Sequence, residues 1–179
     1  MNLTRTATVA LTAATVLLLP GCSNTPPTAD GRPATAVSPR PAPATPAART
    51  TDATSAFKSL AAGVKTATFG TTVTAENDGN HLLGRPGQYT SKITFTDSRI
   101  KAADTQGLKA GDVGYGGSIE VFTDNNDAET RAKYIQTVTR GIPALGEYDY
   151  VHGTSVIRVS RLLTPAQAKE YETAGAKLD

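Results

Sequence analysis

One cysteine, two histidines and a closely spaced pair of acids are the residues of this 179-residue chain whose types allow covalent, metal or acid–base chemistry. Cys22 stands alone, so it can offer a free thiol, an intermolecular disulfide or an attachment point. His81 and His152 are far apart, and neither has another His or Cys at the short spacings that a zinc site needs. Both are expected in a loop and a turn, facing solvent. Glu147 and Asp149 flank Tyr148; in a strand the two carboxylates share one face, and Tyr148 and Tyr150 share the other. Paired carboxylates can work as general acid and base, but no third partner is visible in the pattern, so a wet face opposite a core face is expected. The glycine-rich stretch "GDVGYGGS" lacks the lysine and hydroxyl of a phosphate loop and leads into a strand rather than a helix, which reads as a turn. With no nucleophile beside a base and no ligand set, the expectation is a chain that is not an enzyme and holds no cofactor or metal. A small cell-wall hydrolase is the enzymatic alternative.

The stretch most suited to recognition is "ENDGNHLLGRPGQYTSK", residues 76–92. Pro86 followed by Gly87 suits the centre of a type II turn, which would present Arg85 at its shoulder. Leu82 and Leu83 either fold back on the core or form an exposed apolar tip. Long loops on a rigid scaffold collect binding residues, so His81, Leu82, Leu83, Arg85 and Tyr89 are the candidate partner-binding set, with a merely structural loop as the alternative.

These residues need elements to hold them, and the hydrophobic pattern supplies a set. Phe57, Leu60, Ala61 and Val64 recur at helical spacing. "TFGTTVTA", "TSKITFTD" and "GGSIEVFT" read as strands, with Ile93 and Phe95 on one face and Thr94 and Thr96 on the other. A helix is predicted from "NNDAETRAKYIQTVTRG", capped by Asn126 with Glu129 three residues on, stopped at Gly141, with Ala128, Ala132, Ile135 and Val138 turned inward. "YDYVHGTSVIRVS" reads as a hairpin turning at His152 to Thr154, and "TPAQAKEY" opens a last helix with Thr164 as cap, Pro165 at its first position and Gln167 completing a capping box. This order predicts an α+β fold: a two-layer sandwich of an antiparallel sheet with its helices on one face, and a ferredoxin-like split as one topology compatible with it.

The amino-terminal third is different in kind. Arg5 precedes an apolar run of about 13 residues from Ala7 to Leu19, the plan of an export signal and short of the roughly 20 residues that span a bilayer. The following "LPGC" resembles a bacterial lipobox. That resemblance implies cleavage after Gly21, a diacylglycerol thioether on Cys22, and a mature chain without a thiol. Residues 23–52 carry seven of the eleven prolines and no aromatic, so they cannot bury enough apolar surface to fold. The organisation expected is a signal segment over 1–21, a lipidated cysteine and tether over 22–52, and one domain over 53–179. That domain carries fourteen Lys and Arg against fourteen Asp and Glu, without a basic stripe, so nucleic acid is not an expected partner.

The runs "TAENDGNHLLGRPGQYTSKITFTDSRI", "GGSIEVFTDNNDAETRAKYI" and "LGEYDYVHGTSVIRVSRLLTPAQAKEY" resemble a group of small lipoproteins of actinobacteria and of their phages and prophages. The likeness covers about residues 73–172, behind the same lipobox and tether. It implies an address, the outer face of the cytoplasmic membrane, held there through the lipid anchor, and a genetic setting. The expected role is a surface binding or interaction module for an unknown protein or envelope component, with exclusion of superinfecting phage as its most specific version. A structural, envelope-maintaining lipoprotein without a specific ligand is the alternative.

Overall fold

A computed structural model describes residues 52–178. The signal segment, Gly21, Cys22 and the expected tether up to residue 51 lie outside the described residues. Asp52 belongs to the fold: its carboxylate accepts from the Thr54 and Ser55 amides and caps helix α1 (Ala53–Gly63). Strands β1 (Ala67–Thr72), β2 (Ser91–Asp97) and β3 (Gly116–Val121) follow, then helix α2 (Asn125–Arg140), the hairpin of β4 (Glu147–His152) and β5 (Ser155–Ser160), and helix α3 (Pro165–Gly175).

The five strands form one sheet in the order β1-β2-β3-β5-β4, and each neighbouring pair is antiparallel. The α+β class and the antiparallel sheet are therefore as expected. One split βαβ unit is present, since β3, α2 and β4 leave a gap that β5 fills antiparallel to both strands, but the double split of a ferredoxin-like fold is not completed. Here β1 to β3 run as a meander, α2 carries the chain to the edge at β4, and β5 returns to pair with β3.

Strand alternation divides the sheet into two unlike faces. On the first, Ile93, Ile119, Ile157 and Tyr150 stand in register across four strands, next to a row holding Phe95, Gly117, Val159 and Tyr148. α1 and α3 cover this face with Phe57, Leu60, Val64, Ala168, Tyr171 and Ala174, all buried. Phe95 stacks on Tyr171 with ring centroids 5.3 Å apart, and the Tyr171 hydroxyl donates to buried Asp97 at 2.6 Å. Gly117 lies under the Phe95 ring, where a β-carbon would collide with that ring and with the Arg158 carbonyl.

Helix α2 does not join them. It packs on the opposite face, against β4 and β5, so the sheet is covered on both sides rather than one. The second face alternates polar residues into the interior, and that alternation reads as a solvent-facing pattern in sequence. α2 is capped by Asp124, whose carboxylate accepts from the Asp127 amide at 3.0 Å, so Asn126 lies inside the first turn instead of capping it. Ala128, Ala132 and Ile135 are buried as expected, whereas Val138 is 43% exposed. Thr164, Pro165 and Gln167 form the capping box of α3 as its sequence pattern indicates.

Candidate functional site

On the second face, two rows of side chains run across the strands. Lys92, Glu120, Val156 and Val151 form one; Thr94, Ser118, Arg158 and Asp149 form the next. Glu120 is fully buried at the centre. Its carboxylate accepts from Lys92 Nζ at 3.0 Å, from Arg131 Nε at 2.8 Å and Nη2 at 3.2 Å, and from Arg158 Nη1 at 3.0 Å. Arg158 also clasps Glu147 through Nε at 2.9 Å and Nη2 at 3.0 Å. Burial pushes the Glu120 carboxyl upward, but Lys92, Arg131 and Arg158 outweigh burial and hold it down at about 2.

Asp149 responds to the same surroundings in the opposite sense. Burial, and then the Glu147 carboxylate beside it, push its carboxyl up to about 8, and its Oδ1 has no hydrogen-bond partner. Glu147 and Asp149 do share one strand face, with Tyr148 and Tyr150 on the other, as expected. That face is not wet: α2 covers it, and the acids are drawn into the charged interior.

α2, which packs mainly on β4 and β5, covers this face only in part. Beside α2 the face is left open as a groove floored from β2, β3, β5 and β4, and closed at one end by residues 104–114 and 144–146. This end has a volume of about 470 Å³ and a floor that includes Lys92, Ser118, Glu147 and Arg158. A second cavity of about 430 Å³ continues past Arg131 and Tyr134 towards residues 80–88, and the two share Asn80, Arg131 and Tyr134. Small-molecule sites are of this size and pair apolar walls with a few fixed polar groups. The walls here include Tyr134, Val138 and Leu145, which are 61%, 43% and 54% exposed. Ser118 is 1% exposed, lines the groove, and its hydroxyl has no hydrogen-bond partner.

The loop residues singled out from sequence do not converge on one point. Asp78, buried, organises the loop: it accepts from the Asn80, Leu82 and Leu83 amides and from the Tyr89 hydroxyl at 2.7 Å. Tyr89 is thus no handle for a partner. It is completely buried against Phe122, because its ring completes the small core under α2 and its hydroxyl is the natural donor to Asp78. Leu82 and Leu83 fold back, half-buried, on that same core. Arg85 is exposed; its carbonyl accepts from the Gln88 amide at 3.0 Å across the Pro86–Gly87 turn, where Gly87 has φ 70°. His81 is exposed with φ 54°, and His152 lies apart from it on β4. Among the described residues no three His, Cys, Asp or Glu side chains group to hold a metal, and no helix is long and apolar enough to cross a membrane.

Lys92, Ser118, Glu120, Arg131 and Arg158 were not singled out from sequence. A signal was there: three strands each carry a charge on the face opposite an isoleucine, Ile93, Ile119 or Ile157, as in "SKITF", "SIEVF" and "VIRVS", and the signs are complementary. No protein-family model, curated protein or solved structure matches the chain.

Proposed function

We propose that the protein is a binding module tethered to the outer face of a membrane through Cys22, and that its ligand enters the groove beside α2. The groove is the observation that carries this reading: its buried floor combines fixed cations with an unpartnered hydroxyl, and its rim is apolar and exposed. The same floor supports a reading of binding rather than turnover. Ser118 has no general base in hydrogen-bond contact, and Asp149, the acid with a raised pKa, does not line the groove. The lipobox and the resemblance to phage and prophage lipoproteins support the location, and exclusion of superinfecting phage is the most specific role they suggest.

The test combines both halves. Cys22→Ser should abolish labelling by a fatty-acid analogue and release the protein from membranes. Val138→Trp, at an exposed position on the groove wall, should leave the melting temperature within a few degrees yet abolish protection of cells against related phages. A wild type that takes up no label, or a Val138→Trp variant that protects as well as the wild type, would overturn the corresponding half.

A further inference from the structure

The groove floor is rich in hydrogen-bond donors and nearly spent in acceptors. Lys92 Nζ has three hydrogens and makes one hydrogen bond among the described residues; Arg131 uses Nε and Nη2 on Glu120 and leaves Nη1 free. The Ser118 hydroxyl is unpartnered between Thr94 and Arg158. Glu120 is already shared by three cations, and Glu147 is occupied by Arg158. Charge is unbalanced in the same sense, with three cations against the two carboxylates they bind. Asp149, opposite Arg158 in the register, has a carboxyl whose pKa burial and then the Glu147 carboxylate push up, which disfavours the charged form that would cancel the excess. At the mouth, Asp104, Asp112 and Arg161 also face the cavity; Asp112 accepts from the Lys109 amide and Arg161 donates to the Ala144 carbonyl.

Resting on the groove as the working site, we propose that its ligand is an amphiphile with an oxyanion head, a carboxylate or a phosphate, seated on Lys92, Arg131 and Ser118, and an apolar body along Tyr134, Val138 and Leu145. An oxyanion supplies the acceptors that these donors lack and neutralises a charge that is costly to leave buried. The exposed apolar side chains on one wall are the counterpart of a tail, not of a second polar group.

The full chain, purified without acylation, is titrated with octanoate, octyl phosphate, octanol, octyltrimethylammonium and inorganic phosphate. Affinities come from calorimetry, and the site from amide shifts of Ser118 and Tyr134. Octanoate or octyl phosphate should bind at least about tenfold tighter than octanol, the equivalent of about 1.4 kcal/mol, and octyltrimethylammonium should not bind. The tighter of the two anions distinguishes a fatty-acid-like source from a phospholipid-like one. Ser118→Ala removes a hydroxyl that holds nothing in the fold, so it should weaken the anions several-fold and leave octanol unchanged, while Tyr134→Ala weakens every probe that carries a tail. Octanol binding as tightly as octanoate would overturn the oxyanion head and leave the groove as a binding site. Inorganic phosphate matching octyl phosphate would overturn the tail. If no probe shifts the Ser118 or Tyr134 amides, the ligand class is overturned, while the groove reading stands or falls separately on the Val138→Trp protection test.

Discussion

Ile119 and Glu120 are neighbours in one strand, both fully buried, and they face opposite worlds. Ile119 points into a layer closed by α1 and α3, where many aliphatic and aromatic contacts share the load. Glu120 points into a layer where one carboxylate holds three cations and the cover by α2 leaves a groove open. A core that needed only stability would use the first solution twice, since replacing a buried ion network by well-packed apolar residues is often neutral or stabilising. The second face therefore bears the marks of a site, with the first as its scaffold.

Breaking each face at its centre gives the largest effects. Glu120→Ala leaves Lys92, Arg131 and Arg158 without their shared partner and should cost about 3–5 kcal/mol in a urea titration. Ile119→Ala should cost about 2–5 kcal/mol through a cavity, with Lys92 to Glu120 contacts retained. Acid separates the two. Glu120 is depressed from 4.5 to about 2, so its contribution is present above pH 4.5 and is lost as pH falls towards 2. Ile119→Ala should keep that acid limb of the stability curve, and Glu120→Gln should lose it.

Tyr89→Phe comes next. It removes a donor to the Asp78 carboxylate while leaving the ring packed on Phe122, a loss of about 1.5–3 kcal/mol for a hydrogen bond to a charged group. A change within about 0.5 kcal/mol would mean that the three backbone amides suffice to hold Asp78.

Asp149 should give the opposite sign. Its pKa is raised from 3.8 to about 8, so its contribution to stability is fully present below pH 3.8 and is lost as pH rises through 8. Asp149→Asn should flatten that fall and raise stability at pH 8 by at least about 1 kcal/mol, read from melts at pH 5 and pH 8. A variant less stable than wild type at pH 8 would show that the carboxylate is paired after all.

The first face was legible because its rules are local. Period-two alternation places Ile93, Phe95 and Ile119, and the Thr164 box starts α3 where the pattern indicates. The second face was not, because polar alternation has the same appearance whether water or α2 lies over it. Lys92, Glu120 and Arg158 read as solvated until the register sets Lys92 opposite Glu120 and Arg158 one pair along the same face, and Arg131 arrives from α2, the helix that follows β3. Tyr89 failed for a related reason: nothing in "GQYTSK" says that a buried carboxylate at Asp78 awaits its hydroxyl.

Arg85 is where the comparison can be sharpened with the least disturbance. Its side chain is exposed, and the turn around it is held by its carbonyl and by Gly87, so Arg85→Ala should change stability by no more than about 0.5 kcal/mol. Loop and groove are close neighbours, since Asn80, Leu82, Gly87 and Gln88 close one end of the groove while Arg85 does not line it. If the second face does the recognition, Arg85→Ala should protect cells as the wild type does and bind octanoate with unchanged affinity, whereas Val138→Trp loses both. Protection lost in Arg85→Ala, with octanoate binding and the melt unaltered, would move the working surface from the groove to the tip of the loop, leaving the charged layer as its support.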